Sequence, residues 1–173
     1  MTCASRGSAA TVVYVVETHR PMWTCPRCGK SFVNRNSWHS CVKLDLDDAF
    51  DGRPNARRCF DALRAAVEAD GPVELSISRT GIGFMTRVRF AGVQVRNDHL
   101  RVAFWLKHPI ESPRFAKIER YSANDIGYFV VVRDPSEIDD ELLGWIREAR
   151  EIGDQRHPSQ RRYRTGRSGE LNG

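Results

Sequence analysis

The segment VELSISRTGIGFMTRVRFAGVQVRNDHLRVAFWLK, residues 73–107, contains the clearest β-strand pattern of the chain. Apolar and polar residues alternate over 73–78, which is typical of a strand buried on one face. From Thr80 onward the even positions Ile82, Phe84, Val88 and Phe90 are apolar, and this pattern predicts one long strand. The parity changes at Ala91 and Gly92, which indicates a bulge or bend. The segment therefore predicts the centre of a β-sheet.

Further elements are predicted on both sides of this centre. Asn97-Asp98 is a turn sequence that leads into a strand over 99–107. Apolar residues recur every three or four positions from Pro54 until Gly71-Pro72, so this stretch is a predicted helix. Later in the chain we predict a short helix over 115–121, a buried strand over 126–132 and a final helix that starts at Asp134-Pro135 and ends at Gly153. About four strands, then helix, strand and helix, predict an α+β fold, a mainly antiparallel sheet with helices packed on one face.

The segment WTCPRCGKSFVNRNSWHSC, residues 23–41, carries the strongest chemical signal. Cys25 and Cys28 are separated by two residues, so their thiolates can bind one metal ion from a tight turn. Gly29 suits such a turn because glycine tolerates positive φ. His39 and Cys41 point the same way if their backbone is extended. The spacing predicts a closed tetrahedral Zn²⁺ site, which is structural because four protein ligands leave no position for water.

Two alternatives to this ligand set stay open. The His-x-Cys spacing is shorter than in common zinc fingers, so Cys59 or His19 could replace the fourth ligand. Cys59 also fits the apolar stripe of the first helix as a small hydrophobic residue. A reactive Cys-x-x-Cys redox pair is the other alternative, but it normally lies in a βαβ unit, which the sequence lacks. Around a bound ion we expect a small hydrophobic cluster of Trp23, Phe32 and Trp38.

A second candidate site consists of basic residues of the predicted sheet. Cations that alternate with an aromatic residue on a sheet face are typical of surfaces that bind single-stranded nucleic acid or phosphate. A solvated face with paired arginines is the alternative interpretation. Two rival functions are a small enzyme that acts on an anionic substrate, with His99 beside Asp98 as an acid/base element, and an adaptor that docks a protein partner. The candidate ligand-binding residues are Arg79, Arg87, Arg89, His99, Arg101, Trp105 and Lys107.

Composition limits the class of protein. The chain has 173 residues, a net charge of +5 and an odd number of cysteines, five, which does not suggest a disulfide-bonded secreted domain. No apolar run approaches the length of about 18 residues needed for a membrane span. We expect a soluble cytoplasmic protein with no membrane contact. Residues 1–21 are an expected disordered extension, 22–43 the zinc-binding segment, 44–152 the α+β domain and 153–173 a disordered basic tail.

The motifs WTCPRCGKSF, NRNSWHSC, RVRFAGV and DHLRVAFWL, in this order, give the chain a family resemblance. It resembles the bacterial family known as domain of unknown function 5655, in versions that carry an N-terminal segment similar to a zinc knuckle. The resemblance covers about residues 22–151. It implies that the metal segment and the α+β domain act as one unit, and it implies no activity or substrate.

Overall fold

The computed structural model describes residues 21–37, 39, 41–42 and 44–155. The predicted N-terminal extension and basic tail lie outside these residues except at their inner ends. In chain order the elements are β1 (Trp23–Thr24), β2 (Ser31–Phe32), α1 (Pro54–Ala69), β3 (Glu74–Ser78), β4 (Gly81–Met85), β5 (Arg89–Val95), β6 (Leu100–Leu106), β7 (Phe115–Ser122), β8 (Asp125–Val132) and α2 (Asp140–Gly153). Short 3₁₀ turns cover Asp47–Phe50 and Pro135–Glu137.

Strands β3 to β8 form one antiparallel sheet with the order β3-β4-β5-β6-β8-β7. Helices α1 and α2 contact each other and both contact β6, so they cover the same face. The predicted α+β fold, with a mainly antiparallel sheet and helices on one face, is confirmed. We call the sheet face opposite the helices the outer face.

The core lies between the sheet and the two helices. Phe104 on β6 is fully buried, and its ring lies 5.6 Å from the rings of Tyr128 and Trp145. Because side chains alternate along a strand, the neighbours of Phe104 in sequence point to the outer face. One strand thus supplies both the centre of the core and, as described below, part of a candidate binding surface.

The two helices follow the predicted apolar stripes. Pro54 begins α1, where its fixed φ and missing N–H cost nothing, and the chain reverses after the helix at Gly71 with φ +124°. The predicted start of α2 was too early. Asp134 caps only the 3₁₀ turn, and the α-helix begins at Asp140, because the Asp139 side chain accepts a hydrogen bond from the Leu142 N–H.

The predicted long strand between Thr80 and Phe90 is wrong. The chain turns at 86–88, and β4 and β5 pair antiparallel as a hairpin. The Val88 N–H donates to the Gly153 carbonyl at 3.1 Å, so the turn is anchored at the end of α2. A bulge is present at the parity change, one residue earlier than expected: Phe84 pairs with Ala91 and Met85 with Arg89, which leaves Phe90 as the extra residue.

The predicted helix over 115–121 is also wrong, since these residues form the edge strand β7. Its sequence, FAKIERYS, contains good helix formers, but β8 offers a full row of backbone partners. Phe115 packs on Tyr128 and Trp145 at ring distances of 4.8 and 4.9 Å, which anchors the strand at its first residue. Tertiary pairing therefore overrides the local propensity.

Candidate metal centre and outer sheet face

A short hairpin holds the first two cysteines of the candidate metal centre. Strands β1 and β2 pair through Trp23 and Phe32. Between them the Cys25 N–H donates to the Lys30 carbonyl, and the Gly29 N–H donates to the Cys25 carbonyl, both at 2.9 Å. Gly29 has φ +74°, as predicted for the residue after the second cysteine. This tight turn brings the thiols of Cys25 and Cys28 into one cluster.

His39 and Cys41 complete the cluster. The His39 Nδ1–H donates to the Ser37 carbonyl at 2.6 Å, so the ring presents Nε2 to the thiols. Nε2 lies 3.4 Å from the sulfurs of both Cys28 and Cys41. The four predicted ligand atoms lie within 4.8 Å of one another, and the cluster could hold a metal ion.

The hairpin also affects how easily the ligands reach their metal-binding form. Burial opposes ionisation of Cys25, but hydrogen bonds from the backbone at Arg27 and Cys28 outweigh it and lower the pKa to about 6. The bond to the Ser37 carbonyl raises the pKa of His39, and burial raises the pKa of Cys41. A metal ion needs deprotonated ligands, and the lowered pKa of Cys25 favours its metal-binding form while the raised pKa of Cys41 opposes it.

Two aromatic rings lie beside the Cys/His cluster. Trp23 and Phe32 lie 6.1 Å apart, and Phe32 lies 4.4 Å from the His39 ring. The third expected member, Trp38, lies outside the described residues, as does the alternative ligand His19. The other alternative, Cys59, is fully buried in the core on α1.

The second candidate site is only partly assembled as predicted. Arg101 and Trp105 lie on β6 at alternate positions to the buried Phe104, so both face outward, and Lys107 continues the same alternation just after the strand. The Arg89 guanidinium lies over Gly83 of β4, where an added Cβ would come within 2.5 Å of the Arg89 Nε. These four residues share the outer face.

The other three predicted residues lie in turns, and Arg87 does so because the chain reverses where one long strand was expected. Arg79 is exposed between β3 and β4. Arg87 lies in the turn at the end of α2, and its Nε–H donates to Gln155 at 3.2 Å. His99 precedes β6, and its Nδ1 lies 2.6 Å from the exposed Asp98 carboxylate, a bond that lowers the pKa of Asp98. His99 lines neither of two open clefts that the structure describes, at 47–57 and 113–139.

Sequence reasoning missed the outer-face residues of β7 and β8. Phe129 and Gly127 pair with Ala103 and Trp105, and Tyr121 lies beside them. The run IGYFVVV is predicted only as a buried strand, and this prediction does not identify the outward position of Phe129. The predicted helix hid Tyr121. An alternation count that separated Phe129 from its core neighbour Tyr128 could have found the first of these.

A six-stranded antiparallel sheet with two helices on one face, preceded by a Cys₃His cluster, defines a small α+β protein with a candidate metal centre. Residues 46–152 match the family model described as domain of unknown function (DUF5655), and the chain belongs to this family. No curated protein and no solved structure shows significant similarity to it. Among the described residues, no helix combines the length and the apolar character that crossing a bilayer requires. The predicted boundary between 22–43 and 44–152 stays a prediction.

Proposed function

We propose that this protein is a zinc-stabilised protein of the cytoplasm that binds nucleic acid on its outer sheet face. One observation carries the proposal: Arg89 and Arg101 lie on the outer face, and neither has a carboxylate partner among the described residues. Zinc stabilises the N-terminal segment, and the sheet supplies the binding surface.

The cluster geometry favours zinc. With Zn–S of about 2.3 Å and Zn–N of about 2.0 Å, a tetrahedral site places sulfurs about 3.8 Å apart and a nitrogen about 3.5 Å from each sulfur. The observed distances are 3.9 Å between the sulfurs of Cys25 and Cys41 and 3.4 Å from the His39 Nε2 to each of two sulfurs. Three thiolates and one imidazole form a donor set that zinc prefers. Four protein ligands make the ion structural, and the reduced thiols suit the cytoplasm.

The charges of the outer face favour an anionic ligand. Lys107 lies 3.6 Å from Asp125, and Lys117 pairs with Glu119. Within the part of the chain that the structure describes, Arg89 and Arg101 have no such partner, and the buried Nε of Arg101 has no hydrogen-bond acceptor. A guanidinium binds a phosphate through two parallel hydrogen bonds, so two free arginines on one flat face suit a phosphate backbone.

The test is the binding of a fluorescent 12-nucleotide oligonucleotide to the full chain across a salt series, followed by anisotropy. We expect the double variant R89Q/R101Q to bind at least tenfold more weakly and the slope of log K against log salt to become shallower by about 1.4, two phosphate contacts at about 0.7 each. The matched control R64Q/R147Q removes the same charge from helix-side ion pairs and is expected to change affinity less than threefold.

Three results would overturn the proposal. The first is parental affinity and salt slope in R89Q/R101Q. The second is an equal loss in both double variants, because that would indicate overall charge and not this face. The third is binding that disappears when residues 156–173 are removed, which would assign it to the basic tail. A partner bound with no salt dependence would instead favour the protein-adaptor role.

A further inference from the structure

Three aromatic side chains share the outer face with the free arginines. Trp105 on β6 and Phe129 on β8 are half-buried, and Tyr121 on β7 is 56% exposed. Trp105 pairs with Gly127 and Ala103 with Phe129, so Trp105 and Phe129 are diagonal neighbours across the β6–β8 pair, a position that separates their Cα atoms by about 7–8 Å. The Lys117 Nζ lies 5.7 Å from the centre of the Phe129 ring. Rings and cations thus alternate over a few strands.

Gly127 of β8 lies directly beneath two of these rings. A Cβ on Gly127 would come within 3.0 Å of Tyr121 Cε2 and 3.2 Å of Trp105 Nε1, so both rings close over bare backbone. Elsewhere on the outer face Gly83 of β4 pairs with Gly92 of β5, and the Arg89 guanidinium covers Gly83. Because glycine has no side chain, the rings of Trp105 and Tyr121 lie close against the sheet, so a planar ligand would contact these rings and not the backbone.

Electrostatics alone gives this face little affinity. Two free arginines neutralise about two phosphates, whereas proteins that depend on the phosphate backbone commonly make about 6–10 such contacts. A duplex also hides its base faces, so the rings of Trp105 and Phe129 would find nothing to stack on. An unpaired base exposes a flat aromatic surface that stacks on such rings.

We propose that the outer face selects single-stranded nucleic acid, with one unpaired base stacked on Trp105, the next directed to Phe129, and Arg89 and Arg101 on the flanking phosphates. This inference rests on the proposed function and adds to it the form of the nucleic acid and the residue that recognises it. Recognition depends on base stacking, and it therefore tolerates different base sequences, because every base has a flat face that can stack.

The test compares single-stranded dT12 with a 12-base-pair duplex, using the full zinc-loaded chain and the variants Trp105→Phe and Trp105→Leu. The phenylalanine keeps an aromatic face, and the leucine keeps an apolar side chain without one. We expect the parent to bind dT12 at least tenfold more tightly than the duplex. Trp105→Leu should lose about 5- to 100-fold in affinity for dT12, while Trp105→Phe should stay within about threefold of the parent.

The outcomes separate this inference from the proposed function. Equal affinity for dT12 and duplex, with R89Q/R101Q still weakened, overturns the single-strand inference and leaves nucleic-acid binding intact. Equal affinity of Trp105→Leu and the parent overturns the role of Trp105. Failure of the parent to bind either oligonucleotide overturns both proposals. If Trp105→Leu does not fold, shown by thermal unfolding, the comparison of dT12 with duplex and the quenching of tryptophan fluorescence in the parent but not in Trp105→Phe still decide the matter.

Discussion

Replacing Cys28 by serine should remove the metal and unfold only the N-terminal segment. The hydrophobic core begins at Phe50 and contains no residue of the metal hairpin, so the α+β domain does not depend on the cluster for its packing. Structural zinc contributes about 10–16 kcal/mol in small zinc modules, or about 2.5–4 kcal/mol for each of four ligands. At about 1.4 kcal/mol per tenfold, loss of one thiolate weakens zinc binding roughly 100-fold or more.

The matched control is Cys59→Ser, in which the same chemical change is made in the core on α1. A buried hydroxyl without a partner costs about 1–3 kcal/mol, and each kcal/mol lowers the Tm of a domain of this size by about 4 °C. Cys59→Ser should therefore keep one zinc per chain and lower the Tm of the main unfolding transition. Cys28→Ser should lose the zinc and leave the Tm of that transition unchanged. The assays are metal analysis, chelator competition and calorimetry. One stoichiometric zinc bound by Cys28→Ser with parental affinity would refute this reasoning.

Two further predictions concern contacts of the loop after β6. The buried Tyr128 hydroxyl donates to the His108 carbonyl at 3.2 Å and accepts from the Ile110 N–H at 2.9 Å. Tyr128→Phe removes both bonds and should lower the free energy of unfolding by about 1–2 kcal/mol, measured by urea titration. An unchanged urea midpoint would contradict this prediction. Glu148 raises the pKa of His108 through a hydrogen bond of 2.6 Å, and a raised folded pKa stabilises only while the histidine is protonated. Because solvent screens this exposed pair, Glu148→Gln should lower the free energy of unfolding by at most about 1 kcal/mol below about pH 6.5 and leave it unchanged near pH 8.5. The measurement is the unfolding midpoint of parent and variant at both pH values. A difference between them that grows with pH would exclude the ion pair as its cause.

The sequence predicted well where one local rule dominates. The start of α1 at Pro54 follows from its missing N–H, and the positive φ of Gly29 follows from the reversal after Cys28. It failed where the decision is made by distant residues. FAKIERYS could form a helix or a strand, and only the partner β8 makes it a strand. The turn at 86–88 contains no glycine, proline or asparagine that would predict it. It is held by the hydrogen bond from the Val88 N–H to the carbonyl of Gly153, a residue remote in sequence.

By itself, the sequence determined the fold class and the four members of the Cys/His cluster, because hydrophobic periodicity and ligand spacing are properties of consecutive residues. Only the tertiary structure decided which basic residues share a surface. A strand fixes the direction of its own side chains, but strand order and register decide which strands lie side by side. That order placed Arg89 and Arg101 on one face with Trp105 and Phe129, and it sent Arg87 to the end of α2.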